Sequence, residues 1–476
     1  MPGVSVRTFD GSMERVEDTT VERFREQLRG ELLVPGQEGY DKARSVWNGM
    51  IDRHPALIAR CRGAADVMRS VALAHEHDLL LSIKGGGHNI AGKAVCEGGL
   101  MIDLSLMRDV TVDPKARRAW VGPGATLADF DHEAQAFGLA TPLGINSTTG
   151  VAGLTLGGGF GWLTRKHGLT VDNLRSAQVV TADAELVRAS EQENRDLFWG
   201  ICGGGGNFGV VTSFELELHP VGPEVLAGLL AYPFDGADER LARYRDHLRS
   251  VPEELACWMV MRKAPPLPFI PPDLHGKEVQ LFAFMWAGDA EDGETALAAV
   301  RGALGPPVGE HVVPHPYTAW QKTFDPLLAP GARNYWKSHN FAELSDGAIT
   351  VFCDFGARLP TGLTEIFIGQ LGGEANRRPV DATAYPHRDA EFGMNAHTRW
   401  EDPSDDIRAI NWARELHAEL APFATGGVYV NFIPEGDHVP DAAFGPNYER
   451  LIDVKTRWDP HNLFRMNQNI PPRPTH

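Results

Sequence analysis

The chain has 476 residues, of which 43% are hydrophobic and 23% are charged, a composition typical of a globular protein with a large core. Its formal net charge of -18 argues against nonspecific binding to nucleic acids or anionic membranes. The start of the chain is charged throughout, and the sequence contains no long apolar run. We therefore expect neither a secretory signal nor a membrane span.

The cysteines are few and widely spaced, and no two of them form a CxxC pair: Cys61, Cys96, Cys202, Cys257 and Cys353. This odd number predicts neither a disulfide framework nor a zinc site, and we expect no metal. A reducing cytoplasm is the simplest location for such a chain. The sequence does not indicate whether the protein is a monomer or a dimer.

The first 221 residues read as short alternating helices and strands. In chain order we predict a helix over 20–35, a helix over 65–78, a strand over 79–85, another strand at 99–105, a hairpin over 110–124 and a helix over 126–138. Glycine then becomes dense between residues 144 and 210. Two strands with a short helix between them complete this part.

The pattern changes after Pro220-Val-Gly-Pro223. Six segments with period-two alternation follow, and they are predicted as strands: 225–234, 256–265, 277–288, 349–360, 364–373 and 390–400. Helical segments between them indicate a mainly antiparallel sheet backed by helices, and hence an α+β fold. We predict a first domain over 1–221, a second over 222–426, and a return to the first over 427–476.

The first candidate site is the loop that follows the strand at 79–85. It reads Lys84-Gly85-Gly86-Gly87-His88-Asn89 and continues to Gly92. Three consecutive glycines leave backbone N–H groups uncovered and permit positive φ, so that the loop can hold an anion such as a pyrophosphate beside the histidine. Taken alone, the same loop is also compatible with an ordinary tight turn and an exposed histidine.

The second candidate site begins at Ser147 and combines small hydroxyl residues with six glycines. Its members are Thr148, Thr149, Gly150, Gly153, Gly157, Gly158, Gly159, Gly161 and Trp162. Such a segment lets backbone approach a flat or phosphorylated ligand closely. A nicotinamide-binding Rossmann fold is the rival, but it needs GxGxxG between a strand and a helix. Residues 202–209, CGGGGNFG, lead into a strand instead.

Four blocks together resemble the berberine-bridge-enzyme-like FAD-linked oxidases, within the vanillyl-alcohol-oxidase or PCMH-type flavoprotein class. The blocks are KGGGHNIAG, STTGVAGLTLGGGFGWLTRKHGLTVDNL, GGGGNFGVVTSFELELHPV and DPHNLFRMNQNI, in this order along the chain. The resemblance implies a split FAD-binding domain with a PCMH-type core at about 54–221. It also implies an α/β substrate domain whose large antiparallel sheet covers the flavin.

The resemblance also implies cofactor roles. His88 occupies the position at which the family attaches the flavin 8α-methyl group. Many members have a second attachment through a cysteine, and the matching position here is Asn146. One covalent bond is therefore expected. The glycine loops, Val210 and the C-terminal strand residues Asn467, Gln468 and Asn469 match cofactor contacts. Thr149 matches the position that tunes access of dioxygen, the electron acceptor expected for an oxidase.

The family resemblance places the catalytic base in doubt. Members that oxidise sugars and phenols often use the second tyrosine of a Tyr-x-Asn-Tyr strand, which here reads Tyr429-Val430-Asn431-Phe432. Phe432 cannot accept a proton, and in a regular strand Tyr429 would point to the other face. Alternation over 390–400 puts Asn395 and His397 on a polar face toward the flavin, and His397 is the predicted base.

The predicted function is hydride transfer from a small organic substrate, such as a sugar, alcohol, phenol or secondary metabolite, to flavin N5. Amine oxidation without a protein base, a flavin dehydrogenase that uses dioxygen poorly, and a non-catalytic flavoprotein are alternatives. The alternating face of Asn395 and His397 is also compatible with a solvated sheet surface.

Overall fold

The computed structural model describes residues 3–437 and 439–474. The part before residue 221 contains strands β1 (Gly3–Arg7), β2 (Met13–Glu17), β3 (Glu31–Leu33), β4 (Leu57–Arg60), β5 (Leu81–Lys84), β6 (Leu100–Asp103), β7 (Val110–Asp113), β8 (Arg118–Val121), β9 (Leu139–Ala140), β10 (Leu174–Val180), β11 (Leu186–Ser190), β12 (Val210–Glu217) and β13 (His219–Pro220). Its helices are α1 (Asp18–Gln27), α2 (Tyr40–Arg44), α3 (Ala64–Glu76), α4 (Leu127–Gln135), α5 (Val151–Leu156), α6 (Thr164–His167) and α7 (Arg195–Ile201).

Two sheets organise this part of the chain. One has the order β3-β4-β6-β5, with β4, β6 and β5 parallel, and the other has the antiparallel order β11-β10-β12-β8-β7. Helix α3 places Val67, Val71 and Ala74 on one buried stripe because these positions recur at helical spacing. The stripe packs in the core of the first sheet with Leu81 and Ile102. The glycine loops emerge from these two sheets.

A seven-stranded antiparallel sheet is built entirely from residues 224–400. Its strands are β14 (Glu224–Pro233), β15 (Leu255–Lys263), β16 (Glu278–Trp286), β17 (Gly309–Pro316), β18 (Arg333–Phe341), β19 (Glu365–Gln370) and β20 (Phe392–Trp400), in the order β17-β14-β16-β15-β19-β20-β18. The helices of this part are α8 (Ala237–Leu248), α9 (Ala290–Leu304), α10 (Tyr317–Trp320), α11 (Asp346–Gly356), α12 (Glu374–Arg377) and α13 (Asp406–Leu420). The predicted α+β fold with a large antiparallel sheet is confirmed.

The two faces of this sheet differ because side chains alternate along each strand. Cys257 and Met259 of β15 pack in a core with α8, α9, α11 and α13. The intervening Trp258, with Phe367 of β19, belongs to a separate aromatic cluster on the opposite face. The helices therefore cover one face, and the other face is turned toward the first part of the chain.

Two of the elements predicted before residue 427 were wrong. The segment 349–360, expected as a strand, lies mostly in α11, whose buried residues Ile349, Phe352 and Phe355 follow helical spacing behind an N-terminal cap by Ser345. The helix expected over 20–35 ends at Gln27, and Glu31–Leu33 forms β3 beside β4. In both cases the tertiary partner decided the structure of a segment with ambiguous periodicity.

The C-terminal segment returns to the first part of the chain. It contains α14 (Pro440–Phe444) and α15 (Tyr448–Trp458), and the predicted strand at 467–469 is wrong, because these residues form an irregular stretch. Leu463 and Phe464 enter the core beneath β5 and β6. Lys455, fully buried, donates to Asp459 Oδ2 at 2.6 Å, to the Asn207 carbonyl at 2.8 Å and to the Phe464 carbonyl at 3.1 Å. Across residues 3–437 and 439–474, no helix combines the length and apolarity needed to cross a membrane.

Candidate active site

A cavity of about 310 Å³ lies where the glycine loops meet the seven-stranded sheet. Its volume is within the range of small-molecule sites. Three parts of the chain form most of its wall: the loops around residues 85–94, 144–160 and 204–211, the sheet strands β15, β18, β19 and β20, and the segments 429–432 and 464–468. A second cavity, of about 450 Å³, adjoins it on the other side of Gly85, Gly86 and His88.

Most of the residues predicted from the sequence do meet in the first cavity. Its walls include Gly85, Gly86, Gly87, His88, Asn89, Asn146, Thr149, Gly150, Gly153, Val210, Asn467, Gln468, His397, Tyr429 and Phe432. Lys84 and Thr148 instead line the adjoining cavity. Neither wall includes Gly92, Gly157, Gly158, Gly159, Gly161, Trp162, Asn469 or Asn395.

The glycines at 157–161 serve packing between protein segments. A Cβ atom on Gly157 would lie 2.3 Å from Asn431 Nδ2, and one on Gly161 would lie 1.7 Å from the Leu143 carbonyl oxygen. A Cβ atom on Gly158 would lie 2.7 Å from Tyr385, and one on Gly159 would lie 2.2 Å from Thr170. A Cβ atom on Gly92 would lie 2.7 Å from the Ile51 side chain. These glycines let the cavity wall approach its neighbours, and Trp162 supports the wall by stacking on Trp258 at 4.4 Å.

His88 is held between an aromatic ring and a hydroxyl group. Its imidazole stacks on Trp47, with ring centroids 5.2 Å apart, and its Nε2 lies 2.9 Å from Thr148 Oγ1. Burial lowers the pKa of His88 to about 4, so the ring is neutral at pH 7. Nδ1 has no hydrogen-bond partner among the described residues. The cavity wall therefore carries a neutral imidazole with one free ring nitrogen.

His397 belongs to a buried pair with an acidic residue that the sequence reasoning missed. Its Nδ1 lies 3.0 Å from Glu365 Oε1, and Arg262 donates to Glu365 Oε2 at 2.8 Å. Burial alone would raise the pKa of Glu365, but Arg262 and His397 outweigh it and the pKa is lowered. An ionised Glu365 accepts the Nδ1 hydrogen, which leaves Nε2 of His397 as the acceptor. Nε2 is buried without a hydrogen-bond partner in the described chain.

Tyr429 immediately precedes a 3₁₀ turn over Val430–Phe432, and the prediction that Tyr429 and Phe432 point to opposite faces of a strand was wrong. Three residues make one 3₁₀ turn, so the two rings come together, with centroids 4.8 Å apart. The Tyr429 hydroxyl accepts from the Gly159 amide at 3.1 Å and from Asn431 at 2.9 Å. Burial raises the pKa of Tyr429 to about 12, which makes it a poor proton acceptor at neutral pH.

Asn395 shares the face of His397 but does not reach the cavity wall. It is completely buried, and neither of its amide atoms has a hydrogen-bond partner within the described residues. The alternation over 390–400 thus placed both residues on the face that is turned toward the cavity. It could not show that only His397 extends as far as the cavity wall. Asn467 and Gln468 do reach the wall, where the Asn467 side chain donates to the Phe464 carbonyl at 3.0 Å.

Aromatic side chains account for much of the remaining wall. The sequence reasoning did not select Trp47, Phe160, Trp258, Trp336 and Phe367, which come from five distant positions. Trp336 stacks on His397 at 4.7 Å and contacts Phe432 edge-on at 5.4 Å. Phe160 lies within the glycine-rich block at 147–174, whereas no local motif marks the other four. Residues 204–207 also line the wall, and here the CGGGGNFG segment offered a signal.

Comparisons with known proteins identify the family. A model of the FAD binding domain matches residues 55–190, and a model described as berberine and berberine like matches residues 428–471. The chain is 32% identical over 467 residues to (R)-6-hydroxynicotine oxidase of Paenarthrobacter nicotinovorans, covering 94% of this chain and 97% of that protein. The chain belongs to the berberine-bridge-enzyme-like FAD-linked oxidoreductases. The predicted family and cofactor, FAD, are confirmed.

A further relative and two solved structures are consistent with this family assignment. The chain is 31% identical over 458 residues to an FAD-linked oxidoreductase of Dictyostelium discoideum, covering 95% of this chain and 97% of that protein. Its fold matches 6-hydroxy-D-nicotine oxidase from Arthrobacter nicotinovorans with a TM-score of 0.82 at 28% identity, covering 93% and 98% of the two chains. Physcomitrella patens BBE-like 1, at 22% identity and a TM-score of 0.85, shares the fold over 96% and 100% of the chains.

The cavity of this FAD-linked oxidoreductase fits the cofactor in three respects. Gly153 and Gly206 line it with no atom within 4 Å of where a Cβ would stand, so their backbone faces open space. Asn467 Oδ1, on the same wall, is buried without a protein partner in the described chain, although a buried polar atom normally has one. The remaining walls are flat and aromatic, which suits the isoalloxazine ring.

Proposed function

We propose that this FAD-dependent oxidoreductase is an oxidase that carries FAD on a single covalent bond to His88 and uses dioxygen as electron acceptor. The observation that carries the proposal is the position of His88 in the cavity wall, where Nε2 contacts Thr148 and Nδ1 has no hydrogen-bond partner among the described residues. A neutral imidazole nitrogen with a lone pair is the nucleophile that such an attachment needs. Residues 1–221 and 427–476 would form the FAD-binding domain, and residues 222–426 the substrate domain.

The nature of residue 146 supports one bond rather than two. The position of a second, cysteinyl attachment is occupied by Asn146, and no cysteine is among the described residues that line the cavity. Cys61, Cys96, Cys202 and Cys257 are buried elsewhere, and all five cysteines are unpaired. Unpaired cysteines also suit a cytoplasmic location, which we propose with the rest.

When bound, flavin supplies the acceptor for the hydride from the substrate. The chain's own contribution is to place the substrate against aromatic walls and to accept a proton. His397 Nε2 would take the proton of a substrate hydroxyl, while Glu365 holds the opposite ring nitrogen and Arg262 keeps Glu365 ionised. Tyr429 and Phe432 would shape the site without accepting that proton.

The walls favour a substrate with an apolar ring over a sugar. A buried sugar needs a partner for each of several hydroxyl groups, because an unpaired buried polar group is costly. Trp258, Trp336, Phe367 and Phe432 instead offer ring faces and edges. The same walls support a second candidate, oxidation of an aromatic amine, for which hydride can leave the neutral amine without a protein base.

Two measurements test the proposal. Precipitation with acid should leave the flavin colour in the protein pellet, and release of all flavin to the supernatant would contradict the covalent bond. Anaerobic mixing with a panel of phenols, aromatic alcohols, cyclic amines and sugars should bleach the flavin band with a ring compound. Readmission of air should restore the band and produce hydrogen peroxide. Bleaching by sugars alone would contradict the substrate class.

A further inference from the structure

The side chain of Asn146 determines where the hydrogen of Thr148 points. Asn146 Oδ1 accepts the backbone N–H of Thr148 at 3.0 Å, which identifies this atom as the amide oxygen. Thr148 Oγ1 lies 2.7 Å from the same oxygen. An amide oxygen cannot donate, so the hydroxyl group must use its only hydrogen here.

This donation in turn determines the tautomer of His88. Nε2 of His88 lies 2.9 Å from Thr148 Oγ1, which can only accept because its hydrogen is already used. Nε2 must therefore carry the hydrogen of the ring. A neutral imidazole has one N–H, so Nδ1 has the lone pair.

Neighbouring contacts hold this chain of three residues in place. Ser147, between Asn146 and Thr148, donates its backbone N–H and its hydroxyl to Asp325 at 2.8 and 2.6 Å. The Leu127 amide donates to the Thr149 carbonyl at 2.9 Å. On the other side, Trp47 covers the imidazole face. Contacts within the protein therefore hold the arrangement in place.

We propose that Asn146 and Thr148 are positioning residues for flavin attachment, and that they hold His88 in the tautomer whose Nδ1 bonds to the 8α-carbon. The inference rests on the proposed covalent link. At the position where other family members use a cysteine as a second anchor, this chain would use an amide to orient the first anchor.

Formation of the bond between His88 and the flavin is a two-electron oxidation. Nδ1 of His88 bonds to the 8α-carbon, which loses one hydrogen as a proton, and the imidazole loses the proton of Nε2. The two electrons released enter the isoalloxazine ring, which takes up two protons, and dioxygen then removes both electrons and protons as hydrogen peroxide. Thr148 Oγ1 accepts the hydrogen bond of Nε2–H while positive charge develops on the ring, which stabilises that charge.

The test compares paired variants of the full-length chain. Protein made in riboflavin-limited cells is mixed with FAD, and covalent flavin is followed by in-gel fluorescence after denaturation and by intact mass. Thr148→Val, which keeps the shape but removes the hydroxyl, should slow coupling by about tenfold or more. Thr148→Ser should couple within about threefold of the wild-type rate. Asn146→Ala should be slow, and Asn146→Asp, which keeps an acceptor, should be faster than Asn146→Ala.

A spectroscopic measurement keeps the inference testable if a variant binds FAD poorly. In the ¹⁵N-histidine spectrum of the wild-type apoprotein, Nδ1 of His88 should have the shift of an unprotonated nitrogen, and in Thr148→Val the two tautomers should mix. A protonated Nδ1 in the wild type, or an unchanged coupling rate in Thr148→Val, would overturn this inference and leave the proposed covalent link intact. Absence of covalent flavin in the wild type would instead overturn the proposed function on which it rests.

Discussion

Gly86 and Gly150 are in direct backbone contact: a Cβ atom on Gly86 would lie 2.4 Å from the Gly150 nitrogen. A Cβ on Gly150 would likewise lie 2.5 Å from the Gly86 nitrogen. These two glycines join the loop of His88 to the loop of Thr148. Because neither carries a side chain, the imidazole of His88 and the hydroxyl of Thr148 come within hydrogen-bond distance.

Gly86→Ala should separate the two loops and reduce the fraction of covalently bound flavin. A contact of 2.4 Å with backbone cannot be relieved by rotating a side chain, so one loop must move. The fraction is read as flavin retained after acid precipitation. Gly302→Ala, in the exposed face of α9 with no atom within 4 Å of the added Cβ, is the control and should retain wild-type flavin. Full retention in Gly86→Ala would contradict this account.

Gly153 and Gly157, four residues apart, should respond in opposite ways to alanine. At Gly157 the Cβ meets the Asn431 side chain, and we expect a loss of about 1–3 kcal/mol of unfolding free energy. At Gly153, within α5, the Cβ enters open cavity space, so the apoprotein should be at least as stable while FAD binding weakens. Denaturant unfolding of the apoprotein and FAD titration measure the two effects. The same loss of stability in both variants would argue against this distinction.

The pair of His397 and Glu365 should affect the rate of flavin reduction only for substrates that lose a hydroxyl proton. His397→Gln should lower the rate of anaerobic flavin reduction by about 10²–10⁴-fold with a phenol or alcohol, the range of general-base catalysis. Glu365→Gln should lower it less, because it disturbs only the orientation and tautomer of His397. Oxidation of an amine should be nearly unaffected. Phe432→Tyr is the matched control for the family's usual base, and a large rate increase in it would contradict the role of His397.

Lowering the pH tests the pair of His397 and Glu365, because the lowered pKa of Glu365 fixes the direction of the expected effect. The pKa of Glu365 is lowered from its ordinary value of 4.5, so its ionised form persists to lower pH than that of an exposed glutamate. Its contribution to orienting His397 is present above that pKa and is lost as the pH falls through it. In the pH profile of flavin reduction, protonation of Glu365 should cause no decrease in rate between pH 8 and about 5. Protonation of Glu365 within this window, followed by the ¹³C shift of its carboxyl carbon, would contradict the lowered pKa.

Lys455 should prove essential for the C-terminal wall of the cavity. Lys455→Met leaves the buried Asp459 carboxylate without its positively charged partner, with only the backbone N–H groups of Leu463 and Phe464 as donors, and we expect a loss of about 3–5 kcal/mol of unfolding free energy. The contact to Asn207 would also be lost, so FAD binding should weaken. Adding Asp459→Asn to this variant removes the unpaired charge and should recover part of the stability. Calorimetric unfolding would show the difference, and equal stability of the single and double variants would refute it.

The glycine loops that line the cavity were predictable from sequence because the relevant residue types are local. Consecutive glycines beside His88, and glycines with small hydroxyls from Thr148 to Gly153, mark places where backbone must approach a ligand. The alternation over 390–400 likewise placed His397 on the face of the cavity. Its partner Glu365 was missed because the two come together only by the pairing of β19 with β20, 32 positions apart.

The residues alone were enough to predict the family, the α+β fold with its large antiparallel sheet, and the glycine loops that line the cavity. These features depend on local residue types and on periodicity, which a linear pattern preserves. The folded chain was needed to show which glycines face the cavity and which face protein, that Tyr429 and Phe432 lie on one side, and that hydrogen bonds link Asn146, Thr148 and His88. The reason is physical: hydrogen-bond direction and close packing depend on distances between segments, and those distances are set when the two sheets and the C-terminal tail come together.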